Sequence, residues 1–103
     1  MKSMTRARIE IPVERLAAFC RANHVRRLAL FGSVLREDFR PESDVDVLVE
    51  FEAGHVPGLR LIGLEQELSD IFGRKVDLNT PGFLNPRIRA EVLADAEPQY
   101  VEA

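Results

Sequence analysis

Two carboxylates, Asp44 and Asp46, stand at alternate positions where an apolar, β-branched run that ends at Phe51 begins. The run predicts a strand, and because side chains alternate along a strand, both carboxylates point to the same face. Two carboxylates this close repel each other unless a cation lies between them. Hard divalent cations such as Mg²⁺ take oxygen ligands of this kind, and phosphate oxygens often complete the shell. The pair therefore predicts a metal site suited to phosphoryl transfer.

The apolar run 28–31 is too short for a helix and predicts a buried strand. A Gly-Ser turn, Gly32-Ser33, follows it. Glycine lets the backbone approach a ligand closely, and the hydroxyl and amides at a helix start offer donors to an anion. Phosphates would lie at this turn. Taken alone, the turn is also explained as a plain strand-to-helix connection with a Ser33 cap, and Asp44 and Asp46 as solvated residues at a strand entrance. The metal-site interpretation rests on their combination.

Composition narrows the function classes. A chain of 103 residues accommodates one domain, 1–103, and its net charge of -3 argues against an electrostatic nucleic-acid binder. The single cysteine, Cys20, excludes an internal disulfide and fits a core position. Neither a signal peptide nor a membrane-spanning run is apparent, so we expect a soluble, cytoplasmic protein.

The hydrophobic pattern predicts the order α-β-α-β-α-β-α after a loose or strand-like tail at residues 1–9. The fold class is α/β or α+β, with a small mixed sheet flanked by helices. Helices are predicted from Pro12 to Asn23, from Val34 to Glu37 or Asp38, from Leu59 to Phe72, and from Asn85 or Pro86 to Ala94 or Ala96. Strands are predicted over Val25–Phe31, Asp44–Phe51 and Lys75–Leu78.

Several further expectations concern single residues. Gly73 ends the third helix, and the last helix turns Ile88, Val92 and Leu93 inward. Pro98 ends that helix and leaves Tyr100 in a short tail as a packing residue or partner contact.

The two histidines carry no predicted role in the chemistry. His24 is a surface or capping residue without ligand-spaced partners. His55 lies in a loop and is inert, unless it lies over a nucleotide.

Written out, Gly32-Ser33, ten residues and Asp44-x-Asp46 form the pattern G-S-x(10)-D-x-D. This resembles the nucleotidyltransferase superfamily that includes DNA polymerase beta. The short chain and the segments PESDVDVLVEF and NPRIRAEVLADAEPQYV resemble the minimal nucleotidyltransferase (MNT) branch. The resemblance runs from the first helix to Tyr100. Gly-Ser or Asp-x-Asp alone is a weak signal, whereas both at this separation with a later aspartate in a third strand are specific.

The resemblance implies roles for six residues. Gly32 and Ser33 would hold the triphosphate of ATP; Asp44, Asp46 and Asp77 would be catalytic and would bind two Mg²⁺ ions; Arg36 would contact a phosphate. For Arg36 a solvated helix face is the alternative. The segment GSVLRED departs from the small-residue pattern frequent in the family through Leu35 and Asp38, and Asp38 would weaken nucleotide binding unless it faces solvent.

Small MNT proteins often pair with a HEPN-domain protein as antitoxin and toxin. The resemblance implies that the chain moves AMP from ATP to a tyrosine of such a partner. The alternative is a non-catalytic antitoxin that masks its partner by binding alone. A small-molecule nucleotidyltransferase ranks lower because those enzymes usually carry a further helical domain, and a nucleic-acid polymerase is disfavoured by the acidic charge. An exposed apolar face on the last helix would allow oligomer formation.

Overall fold

The structure, a computed structural model, describes residues 9–37, 39–40, 42–55 and 57–102. Most of the predicted N-terminal tail and the departure at Asp38 lie outside these ranges.

The described residues form three α-helices, two 3₁₀ turns and four strands. In chain order they are α1 (Val13–Ala22), β1 (Val25–Phe31), the first 3₁₀ turn (Gly32–Leu35), β2 (Val45–Phe51), α2 (Arg60–Phe72), β3 (Val76–Asn79), the second 3₁₀ turn (Pro81–Phe83), α3 (Pro86–Asp95) and β4 (Glu97–Val101). β1 is as predicted, and Gly73 ends α2 in the left-handed conformation with φ 70°. β3 begins and ends one residue later than predicted.

The four strands make one mixed sheet in the order β3-β2-β1-β4. β1 pairs antiparallel with β2 and β4, whereas β2 and β3 are parallel. The predicted small mixed sheet flanked by helices is confirmed. Its register matters for function, because Asp46 lies opposite Phe31 on one side and beside Asp77 on the other.

The main core lies between one face of the sheet and helices α1 and α2. Its fully buried members are aliphatic or small side chains from both layers, among them Leu16, Cys20, Leu28, Leu30, Val45, Val47, Val49, Leu68 and Val76. Burial raises the pKa of the Cys20 thiol to about 12, as suits a core cysteine. The core position predicted for Cys20 is therefore confirmed.

A smaller buried group lies on the opposite face of the sheet. Ala29, Leu48 and Leu84 are buried but do not belong to the main core. Leu48 shares a sheet face with Asp46, because the two residues are two positions apart on β2. The carboxylate face is therefore partly apolar, which explains why Asp46 is half-buried.

The prediction of a C-terminal tail is wrong. Residues Glu97–Val101 form β4, in which Pro98 pairs with Ala29 and Tyr100 with Leu28. Proline donates no backbone hydrogen bond and is therefore disfavoured inside a sheet. At a sheet edge this loss is tolerated, and β4 is an edge strand.

Two predictions about helices are also wrong. α3 has no buried residue, and Ile88 and Leu93 are 46% and 36% exposed rather than turned inward. Ser33 does not cap a helix that reaches Glu37. It lies inside a four-residue 3₁₀ turn that ends at Leu35, because the backbone of Arg36 is already extended with φ -111° and ψ 158°.

Candidate active site

The sheet register brings the predicted aspartates together. Asp44 immediately precedes β2, Asp46 is the second residue of that strand, and Asp77 lies beside Asp46 on the parallel strand β3. Strand pairing in register places the side chains of Asp46 and Asp77 on the same face. On the other side of Asp46, β1 ends at Phe31 and leads directly into Gly32. The Gly-Ser turn and Asp77 therefore flank the same carboxylate.

Gly32 makes room for Asp46. A Cβ built on Gly32 would collide with Oδ2 of Asp46, and the backbone of Gly32 has a φ of 76°, which side chains disfavour. Both the conformation and the contact therefore require glycine. The turn is fitted to the carboxylate itself and is more than a strand-to-helix connection.

Asp46 is the electrostatic centre of this cluster. Its pKa is raised to about 6, first by burial and then by the negative charges of Asp77 and Asp44. The protonated Asp46 also donates a hydrogen bond to Asp77, while the nearby guanidinium of Arg36 acts in the opposite direction. The charges of Asp44, Asp77 and Arg36 therefore all act on the carboxylate of Asp46.

The donor set fits a hard divalent cation. Asp44, Asp46 and Asp77 supply negatively charged oxygen ligands, which Mg²⁺ prefers. Among the described residues, the three carboxylates do not place one oxygen each within 4.8 Å of one another. Asp44 is the outer member, with Oδ2 3.9 Å from Nζ of Lys75.

Ser33 and Arg36 belong to the same turn. The backbone amide of Arg36 donates to the carbonyl of Ser33 over 2.9 Å and closes the 3₁₀ turn. The side chain of Arg36 is exposed and borders a surface groove, which is lined by Phe31, Gly32, Arg36, Glu91, Val92 and Asp95. Helix α3 therefore forms the outer wall of the groove beside the Gly-Ser turn.

Two residues of α2 that sequence reasoning missed hold the strand that carries Asp77. The hydroxyl of Ser69 accepts the backbone N–H of Val76 over 3.0 Å and donates to the carbonyl of Glu65 over 2.9 Å. The carboxylate of Glu65 accepts the backbone N–H of Leu78 over 2.8 Å. These two side chains thus accept backbone N–H groups at the outer edge of β3, where a further strand would otherwise pair. Their spacing of four residues on the helix was the available signal.

The prediction that His24 lacks ligand-spaced partners is wrong. Its ring stacks on His55 with centroids 3.8 Å apart, and both rings lie close to Glu52. This cluster lies away from the aspartates, at the other ends of β1 and β2.

Comparison with known proteins identifies the family. Residues 13–97 match the nucleotidyltransferase domain. The chain belongs to this nucleotidyltransferase family. The match includes β1, β2 and β3 in full and every predicted site residue, from Gly32 to Asp77.

Similar proteins are named as adenylyltransferases. The protein adenylyltransferase MntA of Thermococcus cleftensis is 39% identical over 72 residues, which cover 69% of this chain and 71% of MntA. A solved structure assigned by name to the minimal nucleotidyltransferases is 36% identical, with a TM-score of 0.70 and coverage of 84% of this chain and 87% of that one. The nucleotidyltransferase-like fold predicted from the sequence is confirmed.

Two solved toxin-antitoxin structures share the fold at lower identity. A structure with AMP-PNP has a TM-score of 0.72 at 19% identity and covers 88% of this chain and 74% of that one. The MntA-HepT structure has a TM-score of 0.64 at 19% identity and covers 86% of this chain and 69% of that one.

None of the helices in the described part of the chain has the length and apolar character that a membrane-spanning helix needs.

Proposed function

We propose that this nucleotidyltransferase is an antitoxin that transfers AMP from ATP to a tyrosine hydroxyl of a HEPN-domain toxin. The observation that carries the proposal is the position of Asp46 between Asp77 and the Gly32 turn. The names of its similar proteins support protein adenylylation, the toxin-antitoxin structures support the partner class, and the structure with AMP-PNP supports ATP. A reduced, buried Cys20 and the use of ATP fit a cytoplasmic reaction.

In this proposal, Asp44, Asp46 and Asp77 hold Mg²⁺, with two ions as the expected number. The bound cation supplies positive charge that stabilises the phosphates and the attacking oxygen of an in-line displacement. Gly32 presents its backbone closely to the triphosphate, and Ser33 adds a hydroxyl donor. The guanidinium of Arg36 is exposed beside them and adds a positive charge that can contact a phosphate.

The transfer of AMP forms one bond to the α-phosphorus and breaks another. The tyrosine oxygen forms a bond to the α-phosphorus, the bond from that phosphorus to the bridging oxygen breaks, and pyrophosphate leaves. Asp77 accepts the phenolic proton, a role that suits its exposed carboxylate at the open side of the cluster. A tyrosine on another protein can reach an exposed carboxylate, whereas it could not reach a buried one.

The test uses a HEPN-domain toxin as the proposed partner. The two proteins are incubated with ATP and Mg²⁺, and intact-mass spectrometry follows the partner. We expect the partner to gain the mass of one AMP, at a tyrosine whose replacement by phenylalanine abolishes the gain. A partner mass that stays unchanged while its toxicity is neutralised would contradict the proposal.

A second candidate function is neutralisation by binding alone. The exposed apolar residues Ile88 and Leu93 on α3 favour it, because exposed apolar side chains on one helix are typical of a docking surface. The paired replacement Asp44→Asn with Asp46→Asn separates the candidates. A masking protein keeps its antitoxin effect after this change, whereas an enzyme loses it.

A further inference from the structure

A second cluster of ligating side chains lies at the end of the sheet opposite the aspartates. His24 immediately precedes β1 and Glu52 immediately follows β2, whereas Gly32 and Asp46 lie at the other ends of these strands. A strand of seven residues spans about 20 Å. The cluster therefore shares no residue with the candidate active site and cannot bind the same cation.

The three side chains have the geometry of a metal site. One ligand atom from each of His24, Glu52 and His55 lies within 4.8 Å of the other two. Nδ1 of His24 is 3.5 Å from Oε1 of Glu52. Ligands at about 2.0–2.1 Å from a tetrahedral Zn²⁺ are separated by roughly 3.3 Å. The two imidazoles are stacked, so one ring must turn about its side-chain torsions before both nitrogens can bind the same cation.

Backbone hydrogen bonds fix the relative positions of the three residues. The amide of Glu52 donates to the carbonyl of His24 over 2.8 Å, and the amide of His55 donates to the carbonyl of Glu52 over 3.0 Å. His24 has a φ of 58°, in the left-handed region that few residues other than glycine adopt. The two imidazole rings lie face to face, inclined by 14°. The backbone hydrogen bonds therefore hold the three residues near one another.

The cluster is open to solvent and carries a negative ligand. The side chains of His24 and Glu52 are 50% and 36% exposed, and both histidines line a surface pocket. A cation can therefore reach the carboxylate of Glu52 from solvent.

We propose that His24, Glu52 and His55 form a binding site for a divalent transition-metal cation of the Zn²⁺ class. Two imidazole nitrogens and one carboxylate oxygen suit Zn²⁺, Co²⁺ or Ni²⁺, whereas Mg²⁺ prefers oxygen ligands alone. Three protein ligands leave the fourth tetrahedral position to solvent. The bound cation ties the loop between β2 and α2 to the turn between α1 and β1. The site is independent of the Mg²⁺ proposed at the aspartates.

The test measures binding of Co²⁺ and Zn²⁺ to the full chain without a histidine tag. Tetrahedral Co²⁺ absorbs visible light more strongly than hydrated Co²⁺, and Zn²⁺ should displace it. With excess Mg²⁺ present to occupy the aspartates, we expect one strongly absorbing tetrahedral Co²⁺ site per chain and a higher Tm with Zn²⁺. His24→Asn, which tolerates the left-handed backbone, and His55→Gln should each weaken binding at least tenfold, since loss of even an outer-shell partner costs about 10- to 100-fold.

Asp46→Asn is the control, because it removes a ligand from the other cluster and should leave Co²⁺ binding unchanged. Three results would overturn the proposal: no Co²⁺ absorption in the unmodified chain, unchanged affinity in both histidine variants, or a loss of binding in Asp46→Asn alone. The last result would assign the binding to the aspartates. Comparison of far-ultraviolet circular dichroism between the variants and the unmodified chain ensures that each compared protein is folded.

Discussion

The carboxylate of Asp46 occupies the space that a side chain on Gly32 would need, so that the two residues are matched across strands β1 and β2. This contact explains why a glycine lies at the end of β1. It also fixes the distance between the carboxylate cluster and the turn proposed to hold the triphosphate. A change at either residue should therefore alter the other half of the site.

Gly32→Ala should reduce adenylyl transfer on the order of 100-fold, because a Cβ at this position displaces Asp46 and such misplacement is costly. The measurement is the single-turnover rate of AMP transfer to the partner.

Gly63→Ala is the matched control, since this glycine lies in α2 with open space around it. It should keep full activity and raise the free energy of unfolding by about 0.5–1 kcal/mol. Equal transfer rates in the two alanine variants would mean that Gly32 is an ordinary turn residue.

Asp46→Asn should stabilise the metal-free protein at neutral pH. The folded-state pKa of Asp46, about 6, lies above the unfolded value of about 3.9, so the folded chain binds the extra proton between these values. The unmodified protein consequently loses stability as pH rises from about 4 through 6. The asparagine variant carries no charge and removes this loss.

Thermal unfolding in chelator at pH 4.5 and pH 7.5 measures the effect. We expect a higher Tm for Asp46→Asn at pH 7.5 and a smaller difference at pH 4.5, and added Mg²⁺ should raise the Tm of the unmodified protein only. A variant that is less stable at pH 7.5 would contradict the repulsion inferred for the cluster.

Ser69→Ala and Glu65→Ala should each cost about 1–3 kcal/mol in unfolding free energy, because each leaves a backbone N–H of β3 without its acceptor. Both should also lower the rate of AMP transfer, since β3 carries Asp77.

Gln66→Ala is the control on the same helix. The exposed side chain of Gln66 donates a hydrogen bond to Asp70 over 3.3 Å, so its loss should change the free energy of unfolding by less than about 0.5 kcal/mol. If stability falls in the Ser69 and Glu65 variants while the transfer rate at saturating ATP stays unchanged, these residues stabilise the fold without positioning Asp77.

Cys20 should resist alkylation in the folded protein. It is fully buried in α1, and burial raises its pKa to about 12, so the reactive thiolate is scarce at neutral pH. Iodoacetamide labelling followed by mass spectrometry should give no adduct in buffer and a single adduct in denaturant. Rapid labelling of the folded chain would show that the packing of α1 against the sheet is looser than described.

Local sequence patterns predicted the parts of this fold that depend on neighbours in the chain. β1 was predicted because an apolar run stopped at Gly32, and the aspartates because their spacing matched the period of a strand. β4 was missed because its strand character comes from pairing with β1, about 70 residues earlier, which overrides the proline in its sequence.

The histidine cluster was missed for a similar reason. His24 and His55 lie 31 positions apart, and only the antiparallel pairing of β1 with β2 brings their loops together. The aspartates, by contrast, had a spacing that a known family shares. Contacts made through sheet pairing therefore need the structure, whereas motifs within one strand do not.

The claim that the three aspartates carry out adenylyl transfer is tested most directly by replacing each of them with asparagine and measuring AMP transfer from ATP to the HEPN-domain partner. The exposed Asp70 of α2 provides the control variant, Asp70→Asn. We predict that the Asp44, Asp46 and Asp77 variants lose at least about 100-fold in rate, because each removes a ligand whose cation stabilises the transferring phosphate by several kcal/mol. The Asp70 variant should transfer AMP at the unmodified rate. Undiminished transfer by the three variants, or antitoxin activity that survives in all of them, would contradict the account.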